Sequence, residues 1–329
     1  MHTISARVRD LLDGGPGLWL APGSGTAPDG CAVVATSGST GDAKLVVLHR
    51  TALAAAARAA EERLGFTATW HLTLAPHYVA GLMVLVRGQV GDGVRTASPD
   101  LTDLDPAPGR NCLSIVATQL YRALESPALS AMLGRFDAVL VGGAALRPEL
   151  RARAEAAGIR VIETYGMSET CGGVVWDGVP LPGVRITVGE LGRIEIGGPT
   201  VFEGYLGHPA AGGAVLTNDR GHWADGRLII DGRFDDVVIS GGVNVDLAEV
   251  RRAVAALDPE TDVLAVDDPE WGARVVLFAT GGTLETWRDT LRGSLPAPAL
   301  PRQLVTVETL PRTGGGKPDR RSLLGLVKS

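Results

Sequence analysis

Apolar residues along the chain come in short blocks separated by glycine-, serine- and aspartate-rich breaks. The block 31–36 (CAVVAT) is β-branched, apolar and ends in a Ser/Gly/Thr cluster, which predicts a buried strand opening into a loop. Residues 51–64 are alanine-rich with Arg58, Glu61, Glu62 and Arg63 interspersed, predicting a helix with Thr51 as its cap. Strands are expected over 71–76 and 111–118, with a helical turn or more over 81–87. The run 137–141 (DAVLV) predicts another strand, leading into Gly142 and Gly143; a charged helix over 148–157 and a strand over 159–164 follow. Strands alternating with helices predict layered, mostly parallel α/β sheets. From 184 to 230 the texture changes to short strands broken by glycine pairs, as in a small barrel or meander. Beyond 235 come strands over 237–240, 263–266 and 274–280 and helices over 247–256 and 284–292, a separate α+β module. The predicted class is α/β: a large domain over 1–234 with a small β-barrel-like part, then a small α+β domain over 235–329.

Bulk composition narrows the functional classes. With 45% hydrophobic residues in 329, the chain can bury a large core and is too apolar to be disordered. Thirty-one basic against 37 acidic side chains leave a net charge of −6, so nothing global attracts nucleic acid or an anionic membrane. Any anionic ligand must be met by local positive groups. The three cysteines, Cys31, Cys112 and Cys171, are far apart and fit neither a disulfide framework nor a zinc site; buried apolar packing is the expected role of Cys31 and Cys112. Asp10 and Asp13 interrupt the apolar run a secretory signal would need, and no segment has the ~20 apolar residues of a membrane span. The expected compartment is the cytoplasm.

Four motifs carry candidate chemistry. Thr36, Ser37, Gly38, Ser39, Thr40, Gly41 and Lys44 form a loop after a strand, with hydroxyls, glycines and an ammonium suited to a polyphosphate. It lacks the GK[ST] of a Walker loop; alone such a loop is more often a plain turn, and its place after a buried strand brings the two readings level. The second is Thr164, Tyr165, Gly166, Met167, Ser168 and Glu169 at a strand end, where a flat aromatic face suits a base and a carboxylate suits Mg2+; a solvated strand end is the plain alternative. The third, GRFDDVVISGG, reads locally as a hairpin and glycine turn, and the fourth, PRTGGGK, as an exposed lysine behind glycines.

As a set, in this order and at these separations, the motifs resemble those of the adenylate-forming superfamily of acyl-CoA synthetases, adenylation domains and luciferases. The likeness runs from about residue 31 to the end. The segments APHYVAGLMVLVR, TYGMSET and DGVPLPGV look most like the o-succinylbenzoate–CoA ligase branch of menaquinone biosynthesis. Departures are Tyr78 in place of a histidine, Asn218 in place of a glycine, Ala43 and Leu45 around the loop lysine, and only about 35 residues before that loop.

The resemblance implies ATP, Mg2+ and coenzyme A as cofactors and a small aromatic carboxylate as substrate. Nucleic acid and membrane partners are not expected, and a homo-oligomer is left open. It also implies roles. Lys317 would bridge the carboxylate and the α-phosphate; residues 36–44 would hold the outer phosphates; Glu169 would hold the metal. Gly142, Gly143, Ala144 and Tyr165 would surround adenine, and Asp219 and Arg233 would meet the ribose. The small domain would be mobile, turning at Asp235 to bring Gly241 and Gly242 to the pantetheine arm. His77, Tyr78 and Gly81 would border the acyl pocket, and Arg87 would pair with the substrate's second carboxylate. The alternatives are another aryl- or acyl-CoA ligase, a carrier-loading adenylation enzyme, or a non-catalytic nucleotide-binding relative.

Overall fold

The computed structural model describes residues 2–36, 44–313 and 318–327. Its framework is a seven-stranded sheet with spatial order Val179–Pro180, Gly172–Trp176, Val161–Met167, Ala138–Gly142, Asn111–Val116, Thr69–Leu72 and Gly93–Thr96. The five strands from Val161–Met167 to Gly93–Thr96 are parallel; the other two pair antiparallel. Both faces are covered, which explains why the inner strands read as unbroken apolar runs. On one face Trp70, Cys112, Ala138 and Leu140 pack with the helices Arg50–Leu64 and Val79–Val90. On the other, Leu113, Ile115, Val139 and Val141 pack with Leu120, Leu150 and Ala154 of the helices Ala117–Leu124 and Pro148–Ala156.

A four-stranded sheet flanks this layer, in the order Leu18–Trp19, Cys31–Ala35, Leu45–His49 and Gly204–Tyr205. The barrel-like part is a four-stranded antiparallel sheet of Arg185–Val188, Arg193–Gly197, Ala214–Ala224 and Arg227–Arg233. The last sheet holds Val243–Asp246, Val237–Ser240, Gly272–Ala279, Asp262–Asp268 and Gln303–Thr306, with its own apolar cores on Val250, Val254, Val275 and Leu277 and on Val276, Phe278, Leu310 and Leu323.

Local details differ from the sequence expectations. The helix over 50–64 is capped by His49 rather than Thr51: the His49 ring accepts from Thr51 N–H. The strand expected over 111–118 stops at Val116, because Gln119 turns back to accept from the Val116 N–H and opens a helix. Among the described residues no helix is long and apolar enough to cross a membrane.

Candidate active site

In the parallel sheet the chain passes from Thr69–Leu72 to Gly93–Thr96 on one side and then to Asn111–Val116 on the other. Such a reversal leaves a crevice at the carboxyl ends of the strands. A cleft of about 180 Å³ opens one strand further on, past the ends of Asn111–Val116 and Ala138–Gly142, lined by Val116, Gly142, Gly143, Ala144, Arg312 and Pro318, among others. Arg312 and Pro318 stand on either side of the segment that carries Lys317. Lys317 itself lies outside the described residues, as do Ser37, Gly38, Ser39, Thr40 and Gly41.

The 142–144 loop is held by Glu163, whose Oε1 accepts from Leu146 N at 2.9 Å. A side chain at residue 142 is excluded, since a Cβ there would stand 2.5 Å from Thr164 Oγ1. Gly173 flanks Thr164 from the other side, where a Cβ would stand 2.7 Å from Thr164 Cβ. The next residue, Tyr165, donates its hydroxyl to Asp219 Oδ2 at 2.7 Å. Antiparallel register sets Asp219 opposite Arg233, and Arg233 Nη1 donates to Asp219 Oδ1 at 3.0 Å. The same guanidinium donates from Nε and Nη2 to the two oxygens of Asp235, at 2.7 and 2.8 Å. Hydrogen bonding from Arg233 holds the Asp235 carboxyl below its ordinary range, and burial together with Asp219 pushes the Tyr165 phenol up. Tyr165, Asp219, Arg233 and Asp235 thus form one continuous chain of contacts, built from residues far apart in sequence.

Thr36 and Lys44 close the neck of the candidate phosphate loop: Thr36 N donates to Lys44 O at 2.9 Å and Lys44 N to Thr36 Oγ1 at 3.2 Å. The loop therefore joins two antiparallel strands, and no helix starts at its end. Gly166, Met167 and Ser168 lead into the short 3-10 turn Ser168–Thr170, which buries Glu169. Its Oε1 accepts from the Tyr205 hydroxyl at 2.8 Å. Among the described residues no group of three metal-ligating side chains occurs. A single carboxylate fits Mg2+, which keeps waters and phosphate oxygens for most of its shell.

His77 is exposed and its ring lies 4.3 Å from that of Tyr78 at the start of the helix Val79–Val90. Gly81 is dictated by backbone, as a Cβ would stand 2.3 Å from the Ala75 carbonyl oxygen. Two turns on, Arg87 is only 5% exposed. Its guanidinium carbon stands 5.0 Å from the Trp70 ring and 6.0 Å from that of Trp176, and its buried Nε has no partner. No described carboxylate forms an ion pair with it; burial pushes its pKa down to about 10, with the thiols Cys112 and Cys171 opposing that shift. Gly241 and Gly242 sit elsewhere, on the exposed turn between Val237–Ser240 and Val243–Asp246, with φ of 59° and 77° and Gly241 N donating to Trp271 O. Tyr205 was not singled out by the sequence. Its one signal is an aromatic residue after a glycine in FEGY, which carries no chemistry alone.

Residues 19–206, more than half of the chain, match the family described as AMP-binding enzyme. The chain belongs to that family. Among AMP-binding relatives, a protein of Mycobacterium tuberculosis named probable 2-succinylbenzoate–CoA ligase is 42% identical over 319 residues, spanning 89% of this chain and 83% of its own. Two solved AMP-binding structures share the fold. ATP-bound MatB from Rhodopseudomonas palustris superposes with a TM-score of 0.77 at 27% identity, covering 91% of this chain and 68% of that one. An E. coli MenE variant with bound OSB-AMS gives 0.73 at 26%, covering 93% and 72%.

Proposed function

We propose that the protein is an ATP- and Mg2+-dependent 2-succinylbenzoate–CoA ligase acting in the cytoplasm. In the first half-reaction an oxygen of the substrate carboxylate attacks the α-phosphorus of ATP, giving acyl-AMP and releasing pyrophosphate. In the second the thiol sulfur of coenzyme A attacks the acyl carbon, its proton is lost, and AMP leaves.

The roles are those the family resemblance implies. Gly142 to Ala144 and Tyr165 take adenine, and Asp219 and Arg233 take the ribose hydroxyls. The backbone and hydroxyls of residues 36–41, with Lys44, hold the outer phosphates. Glu169 would hold Mg2+, whose positive charge would offset that of the polyphosphate. Lys317 meets the charge developing around the α-phosphate. The part of the chain from 235 on then turns at Asp235, and the Gly241–Gly242 turn receives the pantetheine arm, where glycine lets a thiol chain pass close to backbone. His77 and Tyr78 border the acyl group.

Arg87 is the observation that carries the substrate assignment. A cation buried against Trp70 and Trp176 without a described carboxylate is costly unless an anion joins it. 2-Succinylbenzoate is a dianion and supplies one carboxylate for that pairing while the other reacts. The name of the 42%-identical relative supports the same substrate. The test compares AMP and pyrophosphate release with 2-succinylbenzoate and with benzoate. In Arg87→Gln the dianion's KM should rise about 30-fold or more, since truncating one side of a buried charge pair costs about 2–5 kcal/mol. Turnover of benzoate should be unchanged. Equal effects on both acids would overturn the assignment.

A further inference from the structure

Glu169 and Lys44 come from separate parts of the chain, yet one side chain touches both. The strand Gly204–Tyr205 pairs antiparallel with Leu45–His49, Tyr205 opposite Val46, and Leu206 N donates to Leu45 O at 2.9 Å. This register lays the Tyr205 ring beneath Lys44, whose Nζ stands 4.9 Å from the ring centroid. Phe202 N donates to Glu169 O at 2.9 Å, and the Phe202 ring meets that of Tyr205 edge-on at 5.1 Å. The Tyr205 hydroxyl then reaches Glu169 Oε1 at 2.8 Å. Among the described residues the other carboxylate oxygen of Glu169 has neither hydrogen bond nor ion pair, although the residue is only 9% exposed.

A buried carboxylate with one neutral donor is under-compensated, and a cation on its free oxygen would complete it. We propose that Tyr205 is a positioning residue for the nucleotide's metal. Its hydroxyl fixes Glu169 so that one oxygen stays free as a single-oxygen ligand, and its ring supports Lys44 at the end of the phosphate loop. The inference rests on the ATP-dependent reading above and adds a residue to it.

The two contacts can be separated. Tyr205→Phe keeps the ring under Lys44 and against Phe202 but removes the hydroxyl; Tyr205→Leu removes both. With ATP present and no acid substrate, Mn2+ binding is titrated by electron paramagnetic resonance, and ATP binding without metal by calorimetry. Tyr205→Phe should weaken Mn2+ in the ternary complex roughly 10- to 100-fold, the usual effect of losing a partner behind a metal ligand. Its metal-free ATP affinity should match wild type, whereas that of Tyr205→Leu should fall. Wild-type Mn2+ affinity in Tyr205→Phe would overturn the role of Tyr205. Wild-type Mn2+ affinity in Glu169→Gln would instead remove the metal assignment, and the inference with it. Tyr205→Phe decides alone if Tyr205→Leu fails to fold.

Discussion

Buried polar side chains on the two faces of the parallel sheet have different partners. Arg87 lies on one face without an anion; His71 lies on the other, wholly buried, with its ring 4.9 Å from Phe136. Asn111 Oδ1 already accepts from Ala107 N, and it lies 3.0 Å from His71 Nε2, so Nε2 is the donor there and Nδ1 carries no proton. Nδ1 has no partner, so a second proton would be buried without an acceptor. Burial accordingly lowers the His71 pKa from 6.5, with Arg95 in the same direction and Asn111 and Asp105 opposing. Below pH 6.5 the unfolded chain binds a proton that the folded chain refuses, so this part of the stability is present above 6.5 and is lost as pH falls. Urea melts between pH 7.5 and 5 should show wild type losing up to about 1.4 kcal/mol per pH unit more than His71→Gln. Parallel losses in the two proteins would exclude His71 as the cause. Arg87 was legible only through the family resemblance, in which its position carries a cation; the His71 environment was not, since Asn111 and Phe136 reach it only through strand pairing and packing.

At the scale of elements, period and composition marked most strands and helices. The helix Val79–Val90 and the strand Ala138–Gly142 lie close to their predicted places. The helices His2–Leu12, Pro127–Leu133 and Arg320–Val327 were missed, although His2–Leu12 carries Ile4, Val8 and Leu11 at helical spacing. The loop over 36–44 was read correctly as following a strand, but the strand Leu45–His49 to which the chain returns was not predicted. Gly166 lies against Gly172 and Gly173 where Val161–Met167 pairs with Gly172–Trp176. A Cβ on Gly166 would stand 2.0 Å from the Gly172 carbonyl oxygen, which is backbone and cannot rotate away. Gly166→Ala should therefore destabilise by at least the 1–3 kcal/mol typical of overpacking and shift Tyr165, its neighbour. Gly281→Ala, where nothing lies within 4 Å, is the control and should differ little from wild type. Chemical denaturation of both variants gives the comparison, and a stable Gly166→Ala would mean that the two strands can part.

For the whole molecule, the last sheet is tied to the rest by polar contacts such as the Arg220–Asp246 ion pair and a bond from Arg147 Nη1 to Ala255 O at 3.2 Å. Inside it, two buried carboxylates meet two half-buried guanidinium groups. Arg251 reaches Asp236 at 2.7 Å and Asp262 at 3.1 Å, and Arg320 lies 3.8 and 3.5 Å from the same two residues. Asp262 is 3% exposed, and removing its charge leaves Arg251 and Arg320 to share the Asp236 carboxylate. Asp262→Asn should cost about 1–3 kcal/mol. The loss should appear as faster amide hydrogen exchange over 237–327 with protection retained over 31–233. Uniform loss across both regions would mean that they unfold as one unit. The members of this cluster are too widely spaced for any local pattern to join them, so only the folded chain displays it.

Cys31, Cys112 and Cys171 are all free and buried, the first against Val33 and Val47 and the other two in the large core beneath the helix Val79–Val90. Burial pushes the Cys112 thiol up to about 12 and raises the other two, so none offers a thiolate to a reagent while its core is closed. The molecule thereby carries an internal clock. The rate at which a colorimetric disulfide reagent consumes each thiol times the breathing of the layer around it, with the reagent itself adding no load to the native fold.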